Sequence, residues 1–597
     1  MSAVRERDEI EDAYTWDLES IFASDEEWEA AFGEAEETID ELTAYEGAVM
    51  ESADTLTAAL HTYERVMREV SMIFAYARMR RDEDTANDHY QALTSRARTL
   101  YSEAETAASF IEPEIQAVDW KTIAEILASN PDVAEYEHFL EDIHRMREHT
   151  RSAEVEGIFA DLGEVVGGGE IYTMLTNADM TFPTVTDADG ESVEITLANF
   201  VELQKEPDRA FRQDVYEEFY DEWETVRNAV ATSYATSVKA DVKLAQQRGY
   251  ETAREAALDS ANVPVEVYDT LVATIKDHLD VLQRHANLKE RALGVDELGM
   301  WDIYMPVARG DSPEISYDKA TEHILEAVEP LGEAYVERLR NGIDSRWVDV
   351  YETPNKSPGA YSGGTYDTQP FILMNYQDTV KSMFTLAHEF GHSLHSELTS
   401  EEQPYVYSQY EIFVAEVAST VNETLLTHHL LETIEDDRFR RHVLDQYLEN
   451  FRGTLYRQVL FADFEHQVHQ LIEDGEALTA DRLDARFRSL KTEFYGESLV
   501  DDRIAREWMR IPHFYRAFYV YQYSTGISAA VALAQDILEV GEPAAERYRE
   551  FLRSGSREYP LDLLDAAGVD MRTAAPIEAA VSTYDGFLDE MEVLLDA

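Results

Sequence analysis

Two histidines four residues apart, with a glutamate beside the first, stand in His388-Glu389-Phe390-Gly391-His392. On a helix such a pair lies one turn apart on a single face, so both imidazoles can reach one ion. Glu389 sits beside that face, where its carboxylate can take a proton from water at the ion. A third ligand is needed, and Glu416 offers one 24 residues after His392. It lies in Glu411-Ile412-Phe413-Val414-Ala415-Glu416-Val417-Ala418-Ser419-Thr420, where its neighbours are apolar or small. An unpaired carboxylate in such surroundings is costly, and a cation shared with the histidines resolves the conflict. Nitrogen and oxygen donors with one open position suit zinc, one ion per chain, although cobalt or manganese can substitute. His395, seven after His388, returns near the same face. Glu423, seven after Glu416, is placed to hold the free N–H of a ligating imidazole.

The elements around these residues read as helices. Met383, Phe384 and Leu386 before the motif and Leu394 after it make an amphipathic segment over about 377–398, and a second covers 409–434. Ahead of them, Pro354, Pro358, Gly359, Gly363, Gly364 and Pro370 interrupt the pattern across 350–376. Ala360-Tyr361 and Phe371-Ile372-Leu373-Met374 read as short strands around that glycine turn. Ser24 with Glu27 makes a capping box for a helix running through the forties. The apolar period predicts further helices over 53–80, 85–111, 131–147, 152–166, 208–248, 265–293, 314–341, 437–473 and 513–539, with a stop at Gly167-Gly168-Gly169. Between about 171 and 197 the period becomes an alternation, and Val185-Thr186, Asp187-Ala188-Asp189-Gly190 and Val193 predict a β-hairpin. The expected class is mainly α, with a small sheet next to the motif helix. In chain order the division is an N-terminal helical region at 1–112, a helical and hairpin region at 113–200, and the chemistry-bearing remainder at 201–597.

Composition narrows the function. The 597 residues are 44% hydrophobic, enough for a large interior, and more than one core is expected at this length. Lys+Arg number 50 against 121 Asp+Glu, a formal net charge of −71, and only 10 of the basic residues are lysine. Such a surface repels phosphate backbones and anionic lipid, which argues against nucleic-acid and membrane partners. An evenly acidic, lysine-poor chain resembles proteins of extreme halophiles, where molar salt shortens the Debye length to about 3 Å and screens the self-repulsion. With no cysteine, disulfides, thiolate ligands and a thiol nucleophile are excluded. Met1 to Tyr14 is charged rather than signal-like, and no run of 18 apolar residues occurs, so a soluble, cytoplasmic location is expected.

The stretches His388 to His395 and Phe413 to Glu423 resemble the oligoendopeptidase F group of the thimet-oligopeptidase-like metallopeptidases. Gly359-Ala360-Tyr361-Ser362 through Tyr376, His513-Phe514-Tyr515 through Gly526, and Trp16-Asp17-Leu18 resemble the same family, so the likeness spans nearly the whole chain. It implies a largely helical, two-lobed, zincin-like fold with a deep central channel. It also implies cleavage of internal bonds in short unstructured peptides. In that pattern His388, His392 and Glu416 ligate zinc, Glu389 is the base, and a histidine with nearby tyrosines holds the reacting carbonyl. His513 matches by position, and alignment on Gln522-Tyr523 selects Tyr519 and Tyr523. A further tyrosine of the thimet-type pattern falls on Gly526, which leaves Tyr515 and Tyr521 open as well. The resemblance also points to Gly363-Gly364 and the strand near Tyr361 as backbone partners for an extended peptide. Two other readings share these residues: a helical H-E-x-x-H carboxypeptidase, and a peptide-binding relative without turnover.

Overall fold

Helix dominates because the apolar period stays near 3.6 through most of the chain and the ends are marked chemically. The computed structural model describes residues 4–166, 168–308, 310 and 312–596. The helix Asp25–Leu42 opens on Ser24, whose side chain accepts from Glu27 N, while the Glu27 carboxylate accepts from Ala23 N at 3.0 Å. The Ser24 cap is there, but Glu27 reaches the N–H one residue before the cap rather than that of Ser24, so the expected capping box is only half formed. Arg209–Arg248 runs for 40 residues between an Asp208 cap and Gly249 in the left-handed region, the usual way a helix stops.

Two expectations change. Residues Gly168–Met174 are helical and continue into a wide turn at Leu175–Asp179. Tyr172 and Thr176, four apart, are both buried, a helical period that the apparent alternation concealed. The hairpin shrinks to β1 (Thr184–Thr186) and β2 (Ser192–Glu194), antiparallel with Val185 opposite Val193. The helix expected over 513–539 begins only at Tyr521. Phe518 takes φ of 54°, a left-handed conformation that no right-handed helix contains. Gly167, part of the expected helix stop, and Met1–Ala3, the start of the segment read for a signal, lie outside the described residues.

The chain forms two compact units, each gathered from separated segments. The first comprises Met1–Thr150, Pro313–Thr433 and Leu533–Val569; the second comprises Arg151–Ser312, Ile434–Ala532 and Asp570–Ala597. These do not follow chain order, as the expected boundaries at 112 and 200 do.

In the first unit a core that includes Trp28, Leu60, Val70 and Leu100 extends to Phe371 and Leu373. Trp16 meets Phe371 edge-on with ring centroids 6.3 Å apart, and its indole N–H donates to Glu83 at 2.7 Å. The Trp16-Asp17-Leu18 segment is thereby tied to a three-stranded sheet. The strands are β3 (Val348–Tyr351), β4 (Tyr361–Gly363) and β5 (Phe371–Tyr376). β5 is central, parallel to β3 and antiparallel to β4, with Ser362 opposite Ile372. Three residues beyond β5, the Thr379 hydroxyl accepts from Ser382 N at 3.1 Å and starts the motif helix, Val380–Glu402. Sheet and helix are therefore set by one short connection. Among the described residues no helix is long and apolar enough to cross a membrane.

Candidate metal centre

The motif helix packs against Ile412–Thr433, the helix that carries Glu416, and Gly391 sets their separation. A Cβ there would lie 2.5 Å from Ser419 Cα and 2.6 Å from the Ala418 carbonyl oxygen, so only glycine permits this approach. Asn422 reinforces it. Its amide donates to the Ala387 carbonyl at 3.2 Å and accepts from the Tyr335 hydroxyl at 3.1 Å.

This close packing brings His388, His392 and Glu416 together. The two Nε2 atoms are 3.1 Å apart, and Glu416 Oε2 lies 3.4 Å from that of His388 and 3.8 Å from that of His392. A point equidistant from the three atoms is about 2.0 Å from each, the bond length zinc makes to nitrogen and oxygen. The donor set therefore fits a small divalent cation without rearrangement.

The surrounding contacts set the orientation and charge of the two imidazoles. Glu423 Oε1 accepts from His388 Nδ1 at 2.7 Å, which turns Nε2 towards the centre. Burial works against a charge on His388, but the Glu423 hydrogen bond and the charges of Glu423 and Glu416 outweigh it and raise its pKa to about 9. Burial and the neighbouring His388 push His392 down to about 3, so its ring is neutral; it also hydrogen-bonds the Ala415 backbone.

Glu389 is 6% exposed, and its Oε2 has no hydrogen-bond partner. Burial pushes its pKa up to about 7; the charge of His388 opposes the rise and that of Glu416 adds to it. A hydrogen bond from the Ser362 backbone limits the rise, so β4 adjoins Glu389 directly. The Ser362 and Ser393 hydroxyls are 2.8 Å apart and pin β4 to the motif helix. A cavity of about 520 Å³ is bounded by the β4 segment with its glycine turn, by the exposed side of the motif helix and by Tyr410 and Glu416.

His395 plays a different part from the ligands. It is 1% exposed and stacks on Tyr410, with ring centroids 3.8 Å apart, and burial holds its pKa near 3. The Tyr410 hydroxyl is 2.9 Å from Ser396 Oγ. Tyr410, Ser362 and Asn422 were not singled out from the sequence. Neither period nor spacing marks them, because each acts through a neighbour distant in the chain.

His513, Tyr519 and Tyr523 belong to the second unit and form a cluster of their own. Ring centroids lie 6.0 Å apart for His513–Tyr519, 6.1 Å for His513–Tyr523 and 5.5 Å for Tyr519–Tyr523. Of the two other tyrosines, Tyr515 is half-buried like Tyr519 and Tyr523 and meets Tyr172 at a tilt with centroids 4.7 Å apart, whereas Tyr521, 2% exposed, packs on Tyr268 at 5.2 Å. The bend between them is held from below. Glu465, fully buried, accepts at 2.7 Å from the N–H of Phe518, the residue at which the backbone turns left-handed, and Ser524 Oγ donates to the Thr454 and Leu455 carbonyls at 3.1 and 3.0 Å.

Comparison with known proteins converges with this geometry. The family description Peptidase family M3 matches residues 202–583, and Oligopeptidase F matches residues 114–182. Oligopeptidase PepF of Bacillus subtilis (strain 168) is 42% identical over 592 residues, covering 99% of this chain and 88% of that protein. Group B oligopeptidase PepB of Streptococcus agalactiae serotype III (strain NEM316) is 39% identical over 591 residues, covering 99% and 98%. The crystal structure of oligoendopeptidase-F from Enterococcus faecium matches with a TM-score of 0.74 at 36% identity, over 96% of this chain and 99% of that one.

Proposed function

The chain belongs to peptidase family M3, in its oligoendopeptidase F group, and from that premise we propose that it is a zinc-dependent endopeptidase that hydrolyses internal bonds of short, unstructured peptides. The observation that carries the reading is the convergence of His388 Nε2, His392 Nε2 and Glu416 Oε2 beside a buried, unsaturated Glu389. Those three residues hold one zinc, with Glu423 fixing the tautomer of His388. Zinc, when bound, supplies a Lewis acid that polarises the scissile carbonyl and acidifies water. Glu389 takes the proton from the attacking water and passes it to the leaving amine. Its burial keeps the carboxylate basic enough for the first transfer and its conjugate acid strong enough for the second. The backbone of β4, an edge strand, pairs with the extended peptide. His513, Tyr519 and Tyr523 donate to the oxygen that gains charge as the carbonyl is attacked; their clustering and the family pattern support that role.

Cleavage of a graded series of peptides, blocked by an amide at the C-terminus, tests the proposal. Internal products that vanish with a chelator and return with zinc are expected. Removal of single C-terminal residues from free-acid peptides, with amides untouched, would replace the endopeptidase by a carboxypeptidase, and binding without products would leave only a peptide-binding protein.

The formal charge of −71 with 10 lysines extends the proposal to a cytoplasmic enzyme of a salt-loaded cell. Its melting temperature is then expected to rise with NaCl or KCl towards molar concentration, as carboxylate repulsion is screened. A flat or falling series would remove the halophilic part of the reading and leave the chemistry intact.

A further inference from the structure

The helix Ile412–Thr433 carries another potential ligand on a different side from Glu416. Thirteen residues of helix put His429 about 140° round the axis from Glu416. There it approaches the helix Tyr317–Ala327, where His323 and Glu326 stand three apart and share a face. The His323 and His429 ring centroids are 6.0 Å apart. One donor atom from each of His323, Glu326 and His429 lies within 4.8 Å of the other two, and Glu326 Oε2 is 3.3 Å from His429 Nε2.

Hydrogen bonding leaves both rings incomplete. His323 is 8% exposed and its Nδ1 has no hydrogen bond; the buried His429 Nε2 makes none either and has the Glu326 carboxylate beside it at 3.3 Å. Burial, aided by the charge of Lys319, lowers the His323 pKa, so at neutral pH its ring is uncharged and its lone pair free. Lys319 itself is paired with Glu322 at 2.9 Å. An ion pair between Glu326 and His429 alone would leave the buried His323 nitrogen unsatisfied, whereas one cation answers both rings and the carboxylate.

We propose that His323, Glu326 and His429 form a second divalent-cation site, which takes zinc and ties the helix Tyr317–Ala327 to the back of the helix that carries Glu416. Two imidazoles with a single carboxylate select a late first-row ion over magnesium or calcium, which prefer all-oxygen shells. The Glu326 side chain is 57% exposed, so water completes the shell and zinc exchanges there more readily than in the cavity. The site lies on a different face of the helix from the hydrolytic residues and acts as a brace.

Zinc titration of the full chain by calorimetry, with metal content measured in parallel, tests this independently of peptidase activity. Beyond the ion held by His388, His392 and Glu416, a second equivalent is expected in the wild type and is lost in both His323→Gln and His429→Gln. Once the site of His388, His392 and Glu416 is filled, further zinc should raise the melting temperature of the wild type, and that additional shift should disappear in the variants. Glu326→Gln, at an exposed side chain, guards against misfolding and should weaken the second equivalent while peptide hydrolysis is retained. In a His388→Gln/His392→Gln background one equivalent should remain, which separates this site from the first. No second equivalent in the wild type, or one that survives all three single variants, would overturn the proposal.

Discussion

The metal cluster of the first unit and the aromatic cluster of the second are built in opposite ways. His388, His392 and Glu416 stand on two regular helices, and Gly391 sets the distance between those helices. His513, Tyr519 and Tyr523 are presented by a stretch that is irregular until Tyr521, bent at Phe518 and held by the buried carboxylate of Glu465. In the first case periodic backbone delivers donors to a point with ångström accuracy. In the second, one left-handed residue and one buried hydrogen bond set where the segment bends. A metal centre tolerates little displacement, whereas donors to a developing charge can be carried by a less regular segment if something beneath it is rigid.

That contrast can be broken at several points. The largest effect is expected for Glu389→Gln, which should keep zinc and lose ~10²–10⁴-fold in kcat, the usual contribution of an acid–base group; near-normal turnover would refute its role. On the side of the aromatic cluster, Tyr519→Phe and Tyr523→Phe should leave zinc content unchanged, and removal of the hydroxyl that meets the oxyanion should lower kcat ~10²–10³-fold. Normal kcat in both would end the assignment. Glu423→Gln should weaken zinc by ~10–100-fold, as loss of a partner behind a ligating histidine does, measured by competition with a chelator. Gly391→Ala should lower the melting temperature and zinc affinity together, because the overlap costs ~1–3 kcal/mol and pushes Glu416 away; unchanged values would show that the helices can part freely.

The smallest effect is a matter of pH. Burial pushes Glu465 up from 4.5 to about 8, so the folded chain retains a proton that the unfolded chain releases. The resulting stability is fully present below pH 4.5 and is lost as pH rises towards about 8. Glu465→Gln keeps an oxygen for Phe518 N and removes the titration, so unfolding measured across that window at constant salt should vary less steeply than in the wild type. An equal slope would place the proton elsewhere. For Glu389, raised to about 7 by burial, the sign is that of a base: kcat/KM should fall as pH drops through that region, and a cation nearby would move the limb lower.

Much of the first cluster was legible in the sequence because a helix converts spacing into direction: four residues make a turn, and seven make two. The same rule pointed to Glu423, whose carboxylate meets His388 Nδ1. The rule failed at 513–520, where the tyrosines have helical spacing without a helix, since a left-handed phenylalanine carries no sign in composition. It also could not find units assembled from three segments each, or the contact of β4 with Glu389 through Ser362, which joins residues that only the sheet brings together.

By itself, then, the amino-acid sequence determined the helical class and the family and marked His388, His392, Glu416 and Glu389 as candidates, all of which depend on local period and residue chemistry. Tertiary structure alone decided the 3.1 to 3.8 Å spacing of His388, His392 and Glu416, the clustering of Tyr519 and Tyr523 with His513, and the approach of His429 to His323. Those outcomes depend on which faces of distant elements pack together, and packing is settled by the shape of the whole interior rather than by any one segment.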